Sequence, residues 1–106
     1  SDYRIYGESK RNNSEAYTAS KAGLIAMTKY YAANFAHLGF RFNSVSPGGV
    51  LKNQSSDFIE QYSKKNPQNR MARAHEIAEV VTYLALDSPD HVNGADIIVD
   101  GGLTTW

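Results

Sequence analysis

The chain has 106 residues, and its 11 lysine and arginine residues balance 11 acidic residues. A net charge of zero argues against nucleic-acid and anionic-membrane binding, which require a basic surface. The absence of cysteine excludes disulfides, thiolate metal sites and cysteine nucleophiles, and it favours a reducing, cytoplasmic compartment. No run of about 18 apolar residues is present to span a membrane.

The first predicted element is a long helix. Residues 1–14 are polar and irregular, which predicts a loop. A helix is predicted over residues 15–38, because it holds seven alanines, Ser14 can cap its first turn and Gly39 can end it. Apolar residues lie on more than one face, which predicts burial on several sides. A chain of this length can hardly supply that much cover.

A strand and a short helix are expected next. Residues 40–46 predict a strand that Pro47 ends sharply. Within the polar stretch that follows, residues 57–65 predict a short helix behind a cap at Ser55 or Ser56.

The last part of the chain predicts a helix and a strand. Residues 75–87 place apolar side chains at helical spacing, and residues 95–99 form a short apolar run before two glycines. Strands separated by helical crossovers are typical of an α/β domain with parallel strands. Because two strands do not make a stable parallel sheet, we expect this chain to be the second half of an α/β domain.

Tyr17 and Lys21 are the sharpest candidates for chemistry. They are spaced i and i+4 on the long helix, so they share one face. A neighbouring ammonium favours the phenolate form of a tyrosine, which can then exchange a proton with a carbonyl or an alcohol. The alternative is a packed tyrosine beside a solvated lysine, since this spacing is frequent by chance.

A second candidate is the turn after the first strand, Pro47-Gly48-Gly49-Val50. Ligands of open α/β sheets bind beyond the carboxyl ends of the strands, and glycines there let the backbone approach a flat ligand closely. An ordinary strand-ending turn is the alternative.

Four short motifs together resemble the short-chain dehydrogenase/reductase family, and the resemblance covers the chain from Ala16 onward. In order, they are Tyr17-x-x-x-Lys21-Ala22, Asn43-x-Val45-x-Pro47-Gly48-x-Val50, Arg70-Met71-Ala72 before His75-Glu76-Ile77-Ala78, and Asn93-Gly94 before Val99-Asp100-Gly101-Gly102. Each is weak alone, but their order and intervals make the match specific.

The resemblance implies a fold, a cofactor and a set of roles. The fold would be the carboxyl-terminal half of a Rossmann-type, doubly wound parallel sheet. NAD or NADP would be the cofactor, Tyr17 the general acid/base, and Lys21 its assistant and a ligand of the nicotinamide ribose. The nicotinamide would be lined by Pro47, Gly48 and Val50, with the Val50 backbone reaching its carboxamide. Residues 51–70 would form a substrate-binding lid.

The sequence departs from the family pattern in several ways: the residue that selects NAD or NADP and the asparagine of the preceding helix are also missing from it. No Gly-x-x-x-Gly-x-Gly run occurs, so we expect residues 1–106 to lack the nucleotide-binding half and to be inactive alone. The position of the family's catalytic serine, thirteen residues before Tyr17, is Arg4; Ser1, Ser9 and Ser14 are other candidates, or the serine precedes the chain. Lys52 replaces a frequent threonine, although a lysine can still reach a phosphate.

Partners are also implied by the resemblance. The complete enzyme would form a homodimer or homotetramer through helix 15–38 and the carboxyl-terminal strand. Its small-molecule substrate would be polar and sugar-like, because residues 52–55 are polar. No metal site is expected, because the three histidines are far apart in sequence and show no metal-ligand spacing.

Two alternatives stay open. One is a non-catalytic interaction module that keeps the dimerising helix without the nucleotide site. The other is a sugar epimerase or dehydratase, which shares the Tyr-x-x-x-Lys pair. Retention of Tyr17 and Lys21 favours an enzyme over the module, and the Val99-Asp100-Gly101-Gly102 ending favours the reductases over the epimerases.

Overall fold

The structure, a computed structural model, describes residues 15–105. Over that range the order of the elements is helix, strand, helix, helix, strand, with short 3₁₀ turns after the first helix and the last strand. This confirms the predicted α/β arrangement. The predicted loop over 1–14 and the Ser14 cap lie outside the described residues. No helix within 15–105 is both long and apolar enough to cross a membrane.

Helix α1 spans Glu15–Phe35, and a 3₁₀ turn over Ala36–Leu38 completes the predicted helix. Gly39 follows with φ of 83°, the left-handed conformation that commonly ends helices. The only buried residue of α1 is Ala32. The cover that its apolar pattern predicts therefore does not come from residues 15–105.

Strands β1 (Ser44–Pro47) and β2 (Asp96–Val99) form a parallel pair. The register runs from Ser44 opposite Asp96 to Pro47 opposite Val99. The Asp96 carboxylate accepts hydrogen bonds from the hydroxyls of Ser44 and Ser46, at 2.8 and 2.7 Å. Both strands end at the same edge, as the sequence predicts.

The strand predicted over 40–46 begins four residues later than expected. The backbone amide of Phe42 donates to the Asn93 side chain at 3.0 Å, so a side chain takes the place of a strand partner there. The Arg41 guanidinium donates to Ser88 and to two backbone carbonyls nearby. Side-chain hydrogen bonds thus hold residues 41 and 42 in place of the backbone hydrogen bonds of a strand.

Helix α2 spans Ser56–Lys65, and the Ser55 hydroxyl caps it by accepting from the Phe58 amide. Although the sequence of α2 is mostly polar, this helix contributes the centre of the core. Its Tyr62 side chain is only 2% exposed. Tyr62 packs with Met71 and Leu103, and with partly buried residues of α2 itself. The predicted cap and helix are confirmed.

Helix α3 spans Ala74–Thr82 and continues as a π-helical turn over Tyr83–Asp87. The predicted helix over 75–87 is thus confirmed with a widened last turn. Ser88 explains the widening, since its amide donates to the Tyr83 carbonyl at 2.7 Å and its hydroxyl to the Leu84 carbonyl at 2.8 Å.

Candidate functional site

Tyr17 and Lys21 share a face in the first turns of α1, as their spacing predicts. The Lys21 Nζ lies 5.4 Å from the centroid of the Tyr17 ring, which is cation–π distance. The Tyr17 side chain is 42% exposed in the described part of the chain. An accessible phenol with an ammonium beside it can exchange a proton with a bound molecule.

Helix α1 is held to the strands by its carboxyl-terminal half. The Asn93 side-chain amide donates to the Ala32 carbonyl at 2.9 Å. The rings of Tyr31 and Phe42 pack with their centroids 5.6 Å apart. The first turns, which carry Tyr17, extend away from these contacts.

The segment Gly48–Lys52 follows β1, and almost all of its backbone amides have acceptors within the chain. Gly48 donates to the Val99 carbonyl at 2.9 Å and Leu51 to the Ala72 carbonyl at 2.8 Å. Gly49 donates to the Tyr62 hydroxyl at 2.6 Å, and Lys52 to the Gln54 side chain at 2.7 Å.

Val50 is the exception in this segment. Its carbonyl accepts from the Gln54 side-chain amide at 2.8 Å, but no group among residues 15–105 accepts from its amide. The parallel bridge between Val50 and Ala72 uses the Gly49 carbonyl and the Leu51 amide, which flank Val50. A single open donor among satisfied neighbours, at the carboxyl end of a parallel strand, is a suitable place for a ligand oxygen.

The two glycines of this turn are needed for contacts within the protein. A Cβ on Gly49 would lie 2.6 Å from the Tyr62 ring, and one on Gly48 would lie 2.8 Å from the Asp100 Cβ. From the sequence, these glycines are expected to let a flat ligand approach the backbone closely. In the structure the Cβ sides of both glycines face α2 and the end of β2, so a ligand would meet the opposite side of the turn.

A second buried polar side chain, Asn66, holds the end of β2. It is 2% exposed, donates to the Asp100 carbonyl at 2.8 Å and accepts from the Gln68 amide at 2.9 Å. Gly101 has φ of 68°, and a Cβ there would lie 2.6 Å from the Asn66 side-chain oxygen. The buried amide therefore fits only against glycine.

Asp100 organises the turn that follows β2. Its carboxylate accepts from the amides of Gly102 and Thr104, at 2.9 and 3.0 Å, and from the Thr104 hydroxyl at 2.8 Å. Burial raises the pKa of Asp100, but these hydrogen bonds outweigh it and bring the pKa below its usual 3.8.

Arg70 and Glu76 form a two-pronged ion pair, at 2.8 and 3.3 Å, beside a cavity of about 360 Å³ at the end of β2. The hydrogen bond from Arg70 lowers the pKa of Glu76 below its usual 4.5. Asp100, which also lines the cavity, is satisfied by its own turn. Because these charges are already paired within the chain, the cavity is better explained by the fold than by a ligand.

The weaker candidates fall outside the site. Glu79 lies 3.2 Å from the His75 ring, and both side chains are exposed to solvent on α3. Over residues 15–105, no group of three or more histidine, cysteine or acidic side chains is placed to hold a metal ion.

Sequence reasoning found the strand-end turn and the tyrosine–lysine pair, but it missed the two buried polar residues behind the turn. Neither Tyr62 nor Asn66 is among the site residues that the sequence predicts. Their spacing of four residues, with a glycine pair at each strand end, is the available signal. Tyr62 near the end of α2 and Asn66 just after it each bond to the backbone at one strand end.

A search of protein-family models matches residues 4–104 to a family described as Enoyl-(Acyl carrier protein) reductase. Among curated proteins, the chain is 36% identical over 104 residues to cis-4-hydroxycyclohexanecarboxylate dehydrogenase of Sinomonas cyclohexanicum. That match covers 94% of this chain and 42% of the relative. D-threitol dehydrogenase of Mycolicibacterium smegmatis is 37% identical, with 84% of this chain and 36% of the relative covered.

Solved structures give the same result. A short chain dehydrogenase from Leptospira borgpetersenii, solved with bound NAD⁺, superposes with a TM-score of 0.84 at 41% identity. The match covers 98% of this chain and 39% of that one. The chain thus spans about two fifths of the length of the relatives it matches.

Proposed function

The chain belongs to the short-chain dehydrogenase/reductase family, and we propose that the protein carrying it is an NAD(P)-dependent oxidoreductase that interconverts an alcohol and a ketone. The family match over residues 4–104 supports this proposal. So does the bound NAD⁺ of the similar Leptospira enzyme. The single observation that carries it within this chain is the open amide of Val50.

The turn after β1 fits the carboxamide end of a nicotinamide. Val50 offers a donor that nothing among residues 15–105 accepts, while its neighbours are fixed by bonds on both sides. A fixed, unpaired amide binds a ligand oxygen without first breaking a bond. In this arrangement Pro47 and Gly48 would line the ring, and Val50 would hold the carboxamide.

Tyr17 is proposed as the general acid/base. A helix joined to the next strand by a short connection runs antiparallel to it, and only five residues, 39–43, separate the 3₁₀ turn from β1. The amino-terminal end of α1 would then point toward the same edge as Pro47. There the Tyr17 hydroxyl would protonate a substrate carbonyl oxygen, or take the proton of an alcohol.

Lys21 would assist Tyr17 in two ways. Its ammonium, 5.4 Å from the Tyr17 ring, would stabilise the phenolate formed when the proton leaves. It would also donate to the ribose hydroxyls next to the nicotinamide. The cofactor, when bound, supplies or accepts the hydride, and the residues of this chain orient the reacting groups and move the proton.

The substrate is proposed to be a small polar molecule, sugar-like in its hydroxyl content. Lys52, Asn53 and Ser55 are exposed just beyond the Val50 turn and would face it. The D-threitol dehydrogenase relative, whose name gives a polyol substrate, supports this class. We further propose that the complete protein is cytoplasmic; the lack of cysteine in these 106 residues fits a reducing compartment.

A homodimer or homotetramer is proposed for the complete protein. Leu24, Met27 and Tyr30 on α1 are 57%, 49% and 63% exposed within residues 15–105, and Ile98 on the last strand is 56% exposed. Exposed apolar patches of this kind mark surfaces that pack against another body. A monomeric mass of the complete protein in light scattering would overturn this proposal.

Binding and turnover test the function together. The complete protein is titrated with NADH and NADPH by fluorescence, and it is then assayed against a panel of polyols, sugars and cyclic ketones. We expect the protein to bind at least one of the two cofactors and to turn over at least one substrate of the panel with it. If the protein neither binds a cofactor nor turns over a substrate, the non-catalytic module is favoured. If it binds a cofactor and isomerises a sugar without net oxidation or reduction of that cofactor, the epimerase is favoured.

A further inference from the structure

We propose that Tyr62 is a positioning residue for the nicotinamide side of the site. Its buried phenol holds Gly49, and through Gly49 it fixes the direction of the open Val50 amide. This inference rests on the proposed function, because it assigns Tyr62 a part in binding the cofactor that the Val50 amide would meet. It also makes α2 a fixed support of that turn, in place of a helix that moves with a lid over 51–70.

The first support is the hydrogen bond at residue 49. Tyr62 is 2% exposed, and its hydroxyl oxygen accepts from the Gly49 amide at 2.6 Å. The Gly49 carbonyl in turn accepts from the Ala72 amide at 2.9 Å. Both polar groups of Gly49 are thus held, and the peptide that joins Gly49 to Val50 has little freedom to rotate.

The second support is the packing of the ring itself. A Cβ on Gly49 would lie 2.6 and 2.7 Å from two ring atoms of Tyr62. The ring therefore lies directly against the backbone of the turn. Met71, whose terminal methyl also approaches Gly49, packs on the same side. Hydroxyl and ring together hold the turn from the side opposite the proposed ligand.

The third support comes four residues later, at Asn66, which immediately follows the last residue of α2. Asn66 is as buried as Tyr62, and it donates to the Asp100 carbonyl at the end of β2. The two residues tie α2 to the carboxyl ends of both parallel strands. Swinging α2 as a whole would break both buried bonds and leave their polar groups unpaired. Movement over a substrate is then confined to residues 51–55, most of which are exposed.

The test is the Tyr62→Phe variant of the complete protein, since it removes one oxygen and keeps the ring. Amide hydrogen exchange of Gly49 is measured without cofactor, and the Kd and KM for NADH or NADPH are measured alongside kcat. We expect Gly49 exchange to rise about tenfold and the Kd and KM to rise about three- to tenfold, as the loss of one hydrogen bond implies. The kcat is expected to stay within about twofold.

The matched control is Tyr83→Phe, which removes the hydroxyl of a half-exposed tyrosine outside the site. It should change none of these values. Unchanged Gly49 exchange in Tyr62→Phe, or released exchange with unchanged cofactor affinity, would overturn the inference. If the wild-type protein binds neither cofactor, the proposed function and the binding role of Tyr62 fail together, whereas faster Gly49 exchange would still support its hold on the turn.

Discussion

The turn after β1 and the first turns of α1 carry the two groups of predicted site residues, and they are supported in opposite ways. Behind the turn, Tyr62 and Asn66 are each 2% exposed and bond to the backbone at the strand ends. On α1, Tyr17 is 42% exposed within the described chain, and its contact with Lys21 comes from the same helix.

The turn after β1 is held by contacts within this chain, whereas the first turns of α1 need cover from other parts of the protein. The contacts that hold the strand-end turn all come from residues of this chain. The tyrosine–lysine pair is set in register by the helix, but its placement over a substrate depends on whatever covers the exposed faces of α1. The proposed cofactor side is therefore rigid, and the proposed proton-transfer side depends on assembly.

The largest effect is expected on the proton-transfer side. Tyr17→Phe removes the proposed acid/base and should lower kcat at least about 100-fold, the lower end for general acid–base catalysis. The Kd for NAD(P)H should change less than about twofold, because the turn after β1 is intact. Steady-state kinetics and fluorescence titration of the complete protein measure both, with Tyr83→Phe as the control. Retention of more than a tenth of the wild-type kcat would rule out this role.

The next largest effect is expected in the turn after β1, where Tyr62 packs against Gly49. Gly49→Ala should lower the free energy of unfolding by about 1–3 kcal/mol, the usual cost of overpacking, because the new methyl meets the Tyr62 ring. Urea denaturation of the complete protein measures it.

A second substitution tests the cause of that loss. Tyr62→Leu opens space beside residue 49, so Gly49→Ala should cost clearly less in the Tyr62→Leu background than in the wild type. An equal cost in both backgrounds would show that the strain comes from elsewhere.

A smaller effect is expected at the end of β2 and should depend on pH. Asp100→Asn should destabilise the protein by about 1–2 kcal/mol at pH 7, because a neutral amide accepts less strongly from Thr104 and Gly102. The folded pKa of Asp100 lies below its usual 3.8, so its stabilisation is present above that value and is lost as the pH falls further. The gap between the melting temperatures of variant and wild type should be constant from pH 7 to about pH 5 and should narrow as the pH falls below 3.8. A constant gap at all pH values would contradict this account.

The smallest effect is expected at the Arg70–Glu76 pair. The pKa of Glu76 is lowered by the Arg70 hydrogen bond, so the pair stabilises the fold above the usual pKa of 4.5 and loses that contribution in acid. Because the pair is partly solvated, Glu76→Gln should shift the melting temperature less than Asp100→Asn does. The shift should disappear in 1 M salt. A larger, salt-independent shift would indicate a role for Glu76 beyond the ion pair.

Much of the fold could be predicted from local signals. Alanine content and Gly39 predict the extent of α1, and Ser55 predicts the start of α2, because caps and helix formers act within a few residues. The parallel pairing of the strands follows from the helices between them. The late start of β1 could not be predicted, because it depends on Asn93, which is 51 residues away from Phe42.

In the candidate site, too, local features could be predicted and features that depend on distant residues could not. Tyr17, Lys21 and the Pro47–Val50 turn can be read from spacing and composition. The open amide of Val50 could not be predicted, since it follows from acceptors on Val99 in β2, on Tyr62 in α2 and on Ala72 in the segment before α3. Sequence identifies the residue types, and the distant acceptors decide which donor stays open.

The most direct test of the central claim is amide hydrogen exchange along Gly48–Lys52 in the complete protein, with and without NAD(P)H. The account predicts that cofactor binding slows exchange at Val50 about tenfold or more, because its open amide gains an acceptor. The amides of Gly48, Gly49, Leu51 and Lys52, which already have acceptors, should change little. Saturating cofactor that leaves Val50 exchange unchanged, or that protects all five amides equally, would contradict the account.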